Sequence, residues 1–200
     1  MIADAAHDLG LEGLTLKAVA DHLGVSVAAL YHHVSGKEEL MRMAAEQSAR
    51  AVPLPVDHGQ HWAQWLLEWA RYNREIFSAQ PGLLSQYLEG AISPAVVVDN
   101  LDTILSVLVR EGFSIEEANA AYNVVSSYAL GTVVADTWEQ AAGGRAGFRR
   151  VLRAARKGDL PHVRRLMASK TADDVAAFDE QIETLLRGIA ARNKLRWKPL

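Results

Sequence analysis

No cysteine occurs in this chain of 200 residues. That excludes disulfides, thiolate nucleophiles and cysteine-based zinc sites, and it suits a cytoplasmic protein. Long apolar runs are missing too. Without about 18 consecutive apolar residues no membrane span is expected, and no signal peptide is legible. There is no internal repeat and no low-complexity tract. Neither sign of charge dominates: 21 Lys and Arg stand against 24 Asp and Glu, a net −3 that indicates no particular partner. A glycine-rich phosphate cradle, a nucleophile elbow and an acid/base pair of compelling spacing are all absent, so no catalytic residue is nominated. His58 and His61 stand three apart at a proline-rich junction. No third ligand lies near them in sequence, so no metal or cofactor is expected.

What remains is half hydrophobic, enough for a sizeable core, and almost everywhere helical in period. Ile2, Ala5, Ala6 and Leu9 make one face of a first helix over about 2–9. Thr15 is a good N-cap for a second helix over 16–23, whose Leu16, Val19, Ala20 and Leu23 share a face. Gly24 follows where a left-handed residue ends a helix. Ser26 caps a third helix, expected over 27–33, with Leu30 and Val34 turned inward. Ser35 to Glu38 reads as a capping box for a fourth helix that runs to about Ala51. Helix, glycine turn, helix is the arrangement that lays a recognition helix in the DNA major groove.

Gly10 or Gly13, Leu14, Thr15, Val19, Ala20, Leu23, Gly24, Val25, Leu30, Tyr31, His33, Val34, Lys37 and Leu40 fall at fixed spacing. In this the stretch resembles the DNA-binding core of the TetR family of transcriptional regulators. The resemblance implies an all-α protein: an N-terminal three-helix helix-turn-helix domain, then a helical domain for ligand binding and dimerisation. It implies that Lys17, Tyr31, His33 and Lys37 touch the DNA backbone or nearby bases, and that Val27, Ala28, Ala29 and His32 face the bases. The chemistry of the residues is compatible. Lys17, Tyr31 and Lys37 offer donors to phosphate, whereas Val27, Ala28 and Ala29 offer only apolar contacts, for instance to a thymine methyl. Specificity then leans on His32, His33, Lys17 and DNA shape. One feature departs from the usual basic module. Residues 1–51 hold four Lys and Arg against seven Asp and Glu. This leaves an alternative, a helical small-molecule-binding dimer that has lost DNA binding. An Arg/Lys-rich segment upstream would favour the regulator.

Pro53 and Pro55 break the chain and set the expected boundary between domains 1–51 and 52–200. A helix over about 60–79 follows, with Trp62, Trp65, Leu66, Trp69, Tyr72, Asn73 and Ile76 at helical spacing. Such an aromatic stripe fills a core or walls a ligand. Pro81-Gly82 reads as a turn and Leu83 to Glu89 as a short helix. Ser93-Pro94 opens a helix to about Arg110, and Ser114 to Glu117 is a capping box for a long helix to about Gln140. Residues 141–147 read as a flexible loop. A segment over 145–165 carries seven arginines and Lys157 against Asp159, and reads as a solvated face, an intersubunit ion-pair partner or a second nucleic-acid surface. A short helix is expected from Pro161 to about Ala168. The last helix, about 173–192, buries Val175, Phe178, Ile182, Leu185, Leu186 and Ile189, and its acidic start could pair with the basic segment. Lys194 to Leu200 reads as a frayed tail.

The second half resembles the tetracycline-repressor branch more weakly, through Gly112-Phe113-Ser114, Glu117-Ala118 and Leu130-Gly131. That branch's drug and magnesium ligands find no match. Trp69 stands where it has a key asparagine, and no histidine lies between Trp62 and Gln140. Tetracycline with magnesium is therefore disfavoured. The expected partners are double-stranded operator DNA, a largely apolar or aromatic effector, and a second copy docked through the helices near 116–140 and 173–192. The expected effector residues are Trp62, Trp65, Trp69, Tyr72, Asn73, Tyr87, Leu105, Tyr122, Val125 and Tyr128.

Overall fold

The computed structural model describes residues 1–51, 53–156, 158–168, 174–198 and 200, with the side chains at 96, 99, 174 and 175 left out. The expected burial of Val175, the helix start at Asp173, Lys157 and the first residue of the 52–200 domain lie outside the described residues.

The described secondary structure is all helical. α1 is Ile2–Leu9, α2 Leu16–Leu23, α3 Val27–Leu30 and α4 Lys37–Ala51. The Thr15 hydroxyl accepts the Ala18 N–H at 3.1 Å, and Ser26 does the same for Ala29 at 3.1 Å. Gly24 ends α2 in the left-handed conformation, φ 68°. The third helix is shorter than its spacing suggests. After Leu30 the N–H groups of His32 and His33 bond three residues back rather than four, and this tightening delivers Val34, 2% exposed, to the core. At the start of α4 the returning carboxylate belongs to Glu39, not Glu38. Ser35 N–H and Oγ both donate to Glu39 at 2.6 Å. Leu9, expected inside, is exposed at the end of α1.

α5 is Trp62–Ala79, α6 Pro81–Leu88, α7 Pro94–Arg110, α8 Ile115–Ala141, α9 Gly144–Ala154, α10 Pro161–Ala168 and α11 Asp174–Arg192. Pro81 and Gly82 are not a turn between helices but the first turn of α6, since proline at the first helical position forfeits no bond. Residues 141–147 are not an open loop. α8 ends at Ala141, Gly143 bends the chain at φ 89°, and α9 starts at once. Gly147 lies so close to the Ala142 carbonyl that a Cβ would sit 2.3 Å from its oxygen. The reciprocal Ser114–Glu117 box is present at the head of α8.

Two apolar clusters result. One joins α1 to α4: Ala5, Leu14, Val19, Leu30, Leu40 and Ala44 among others, with Leu83 of α6 added and Ile76, Phe77 and Ile92 against it. The other joins α5, α7, α8 and α11 around Trp62, Trp65, Ile104, Leu108, Val125, Ile182 and Leu186. Each such side chain contributes about 1.5–3 kcal/mol by leaving water. Trp62 meets Phe113 edge-on, ring centroids 5.2 Å apart. α6 reaches the N-terminal cluster closely: a Cβ on Gly82 would lie 2.7 Å from the Leu11 Cβ.

The C-terminal tail is docked rather than frayed. Trp197 packs on Trp62 at 6.3 Å, the Arg187 guanidinium lies 5.5 Å over the Trp197 ring, and the His61 Nε2 is 3.1 Å from the Arg196 carbonyl oxygen. Packing on Trp62 takes the Trp197 ring partly out of water. In the basic segment Arg164 holds the turn between α9 and α10, donating to the carbonyls of Leu152 at 2.8 Å and Asp159 at 2.9 Å. The acidic stretch of α11 serves elsewhere within the chain: Asp179 pairs with Arg71 at 2.5 Å and Glu183 with Arg187 at 2.7 Å.

Candidate DNA-reading surface and ligand cavity

Because Leu30 and Val34 face the N-terminal core, the other side of α3 and the turn after it faces out. Ala28, Tyr31, His32 and His33 are exposed, Tyr31 at 56%. Val27 and Ala29 are half-buried, Val27 against the core. Lys17 near the head of α2 and Lys37 at the head of α4 are exposed, with no ion pair among the described residues. Of the eight residues nominated for DNA, Lys17, Ala28, Tyr31, His32, His33 and Lys37 are exposed, while Val27 and Ala29 are half-buried. Arg42 is engaged with Glu46 at 3.0 Å and Glu39 at 3.8 Å. The Ser35 hydroxyl and N–H, followed by Arg42, hold the Glu39 carboxyl below the usual range.

A cavity of about 190 Å³ lies where the two clusters meet. α5 supplies Trp69, Tyr72, Asn73, Ile76 and Phe77. α8 supplies Tyr122, Asn123, Ser126, Ser127 and Leu130. Ala49 of α4, Leu83 and Tyr87 of α6, Ile92, and Val97 and Asn100 of α7 complete the wall. The Trp69 indole N–H donates to the Ser126 hydroxyl at 2.9 Å, which fixes the ring, and Tyr72 stacks on it at 5.4 Å. The Asn73 amide donates to the Trp69 carbonyl at 2.8 Å, leaving its own carbonyl to accept. Burial raises the Tyr72 phenol above its ordinary value. Burial, then the nearby Tyr87, does the same for Tyr122.

The family described as bacterial regulatory proteins, tetR family, matches residues 2–44, and the one described as tetracyclin repressor-like, C-terminal domain, matches residues 54–193. The chain belongs to the TetR family. An HTH-type transcriptional regulator of Saccharopolyspora erythraea is 26% identical over 185 residues, 91% of this chain and 78% of that protein. The HTH-type transcriptional repressor DrrR1 of Streptomyces coeruleorubidus is 29% identical over 148 residues, 74% of this chain, and the chain spans 54% of the length of DrrR1. The TetR-family protein ActR of Streptomyces coelicolor, solved in complex with actinorhodin, has a TM-score of 0.73 at 21% identity. That alignment covers 96% of this chain and 94% of ActR, and it shows a shared fold.

Membership makes the chain a transcriptional regulator with a helix-turn-helix and a ligand-binding domain, not an enzyme. It also favours the regulator over the alternative of a dimer without DNA binding. No helix among the described residues is long and apolar enough to cross a membrane.

Of the ten residues nominated for the effector, Trp69, Tyr72, Asn73, Tyr87 and Tyr122 line this cavity. Trp62, Trp65 and Val125 do not; they are core, each under 3% exposed. Leu105 packs on that core, and Tyr128 turns to α11, where its hydroxyl donates to Gln181 at 2.5 Å. The tryptophan stripe divides because the first half of α5 is enclosed by α7, α8 and α11 and only the second half faces the space below α6. Reading by periodicity missed Ser126, Ser127 and Asn123, although the small polar run in α8 was visible. The missed Ile92, Val97 and Asn100 carry no comparable sign.

Proposed function

We propose that the chain acts as a homodimeric repressor in the cytoplasm that binds a pseudo-palindromic operator and releases it when a small molecule fills the α5–α8 cavity. The observation that carries this reading is the position of Ala49. It lies in the cavity wall and on α4, the helix that begins beside the DNA-reading turn at Lys37. A ligand that binds better when α4 is displaced shifts the population away from the DNA-competent state. Each α3 surface would read a half-site through Lys17, Val27, Ala28, Ala29, Tyr31, His32, His33 and Lys37. The half-sites would be spaced about 34–36 Å apart. The second copy would dock on α8 and α11. On these helices Val124, Val134 and Trp138 are exposed, and Gly131 and Gly188 have open space where a Cβ would stand.

The test is binding to DNA upstream of the gene at two salt concentrations. The expected result is palindrome-dependent affinity that falls with salt. Tyr31→Ala/Lys37→Ala should weaken it, and losing one phosphate contact per subunit should lower the salt slope by about two. Absence of sequence-dependent binding by a folded dimer would overturn the reading.

A further inference from the structure

We infer that the effector is an uncharged aromatic molecule of one or two rings carrying hydrogen-bonding substituents. The inference rests on the reading of the α5–α8 cavity as the effector site, and it names the chemistry that site accepts.

Size comes first. A cavity of about 150 Å³ holds benzene, and this one measures about 190 Å³. That is space for one ring or two fused rings. Shape comes next. Trp65, Trp69 and Tyr72 stack in that order along α5, Trp65 parallel to Trp69 within 2° and Tyr72 within 25° of it, and Tyr72 ends the stack at the cavity. A planar ring stacks there with little lost freedom. The polar groups decide the rest. Those offered by the described lining residues are the amides of Asn73, Asn100 and Asn123, serine hydroxyls and phenols. Asn100 is half-buried and Asn123 exposed, and neither side chain makes a hydrogen bond among the described residues, so a guest would take their donors and acceptors over from water. A phenol is already protonated near neutral pH, and burial moves those of Tyr72 and Tyr122 further the same way. Such a lining matches hydroxyl, carbonyl or amide groups. A carboxylate or ammonium taken from water into it loses hydration that neutral dipoles restore only in part.

The experiment titrates the full-length protein with 2-naphthol, 2-naphthoate, 2-naphthylmethylamine, naphthalene and tetracycline. It follows tryptophan fluorescence and, separately, the thermal midpoint. The expected order puts 2-naphthol first, with the two charged analogues weaker by about 100-fold and tetracycline weaker than 2-naphthol. Asn100→Leu and Asn123→Leu should each weaken 2-naphthol by about fivefold and leave naphthalene unchanged. If 2-naphthoate or the amine binds as tightly as 2-naphthol, the assignment to an uncharged class fails while the cavity stands. Tetracycline binding above 2-naphthol overturns the size limit. Binding of 2-naphthol that ignores both asparagine changes overturns the hydrogen-bonding assignment. If no probe binds, the cavity itself is misread and the proposed function loses its effector site.

Discussion

Replacing Gly82 with alanine would place a Cβ 2.7 Å from the Leu11 Cβ, where carbon atoms normally stand about 3.5–4.0 Å apart. The Leu11 Cβ is the stem of a residue only 7% exposed, so no flexible end can swing aside. Relief requires α6 and the segment between α1 and α2 to part by about 1 Å. Overpacking of this kind costs about 1–3 kcal/mol. Alanine returns up to about 1 kcal/mol through helix propensity. The net expectation is a loss of about 1 kcal/mol, a fall in thermal midpoint of about 2–4 °C for a chain of this size. The loss falls at the joint between the helix-turn-helix and the cavity, because Leu83 beside it belongs to the N-terminal core. Operator affinity should therefore change along with stability. The assay pairs urea unfolding at fixed protein concentration with operator titration. A Gly82→Ala variant as stable as the parent, with unaltered operator affinity, would refute the argument.

Trp65 is fully buried and its indole N–H has no hydrogen-bond partner among the described residues. Trp65→Phe removes an unsatisfied donor, worth about 1–3 kcal/mol, while leaving a small void, so urea unfolding should place it within about 1 kcal/mol of the parent; Trp65→Ala should lose about 3–5 kcal/mol. A loss above 3 kcal/mol for Trp65→Phe would contradict this balance. Glu39 is a carboxyl held low by Ser35, so its contribution is present above the ordinary carboxylate pKa and is lost as pH falls through the depressed one. The gap in urea midpoint between the parent and Glu39→Gln should accordingly be open at pH 7 and narrow as pH falls below the ordinary carboxylate range; a gap independent of pH would show that the cap does not depend on the charge.

The helices that carry hydroxyl caps were legible in the sequence because a cap is a local device. Thr15, Ser26, Ser93 and Ser114 each accept a backbone N–H two or three residues on. Features decided by distant neighbours were not legible. Residues 141–147 look like a loop because three glycines suggest freedom. Here glycine serves instead to turn α8 sharply into α9 and to clear the Ala142 carbonyl. The tail looks polar and terminal, yet Trp197 finds Trp62, whose ring is set by helices far off in sequence. The cavity was half legible for the same reason. A tryptophan every three or four residues marks one face of α5, but only the placement of α6, α7 and α11 decides where that face is packed and where it is open.

The latch between Trp197, His61 and the head of α5 also has a mechanical meaning. α5 has 18 residues and is about 27 Å long. Its first turn is clamped by Phe113 and the chain end, while Ile76 and Phe77 in its last turns bear on the helix-turn-helix core. A rod clamped at one end and pushed near its middle moves most at the other. A guest pressing on Tyr72 would therefore be felt chiefly at Phe77, so the far pole of the molecule is the fulcrum. Cutting the chain before Trp197 would slacken the lever while leaving both the cavity wall and the DNA-reading surface intact.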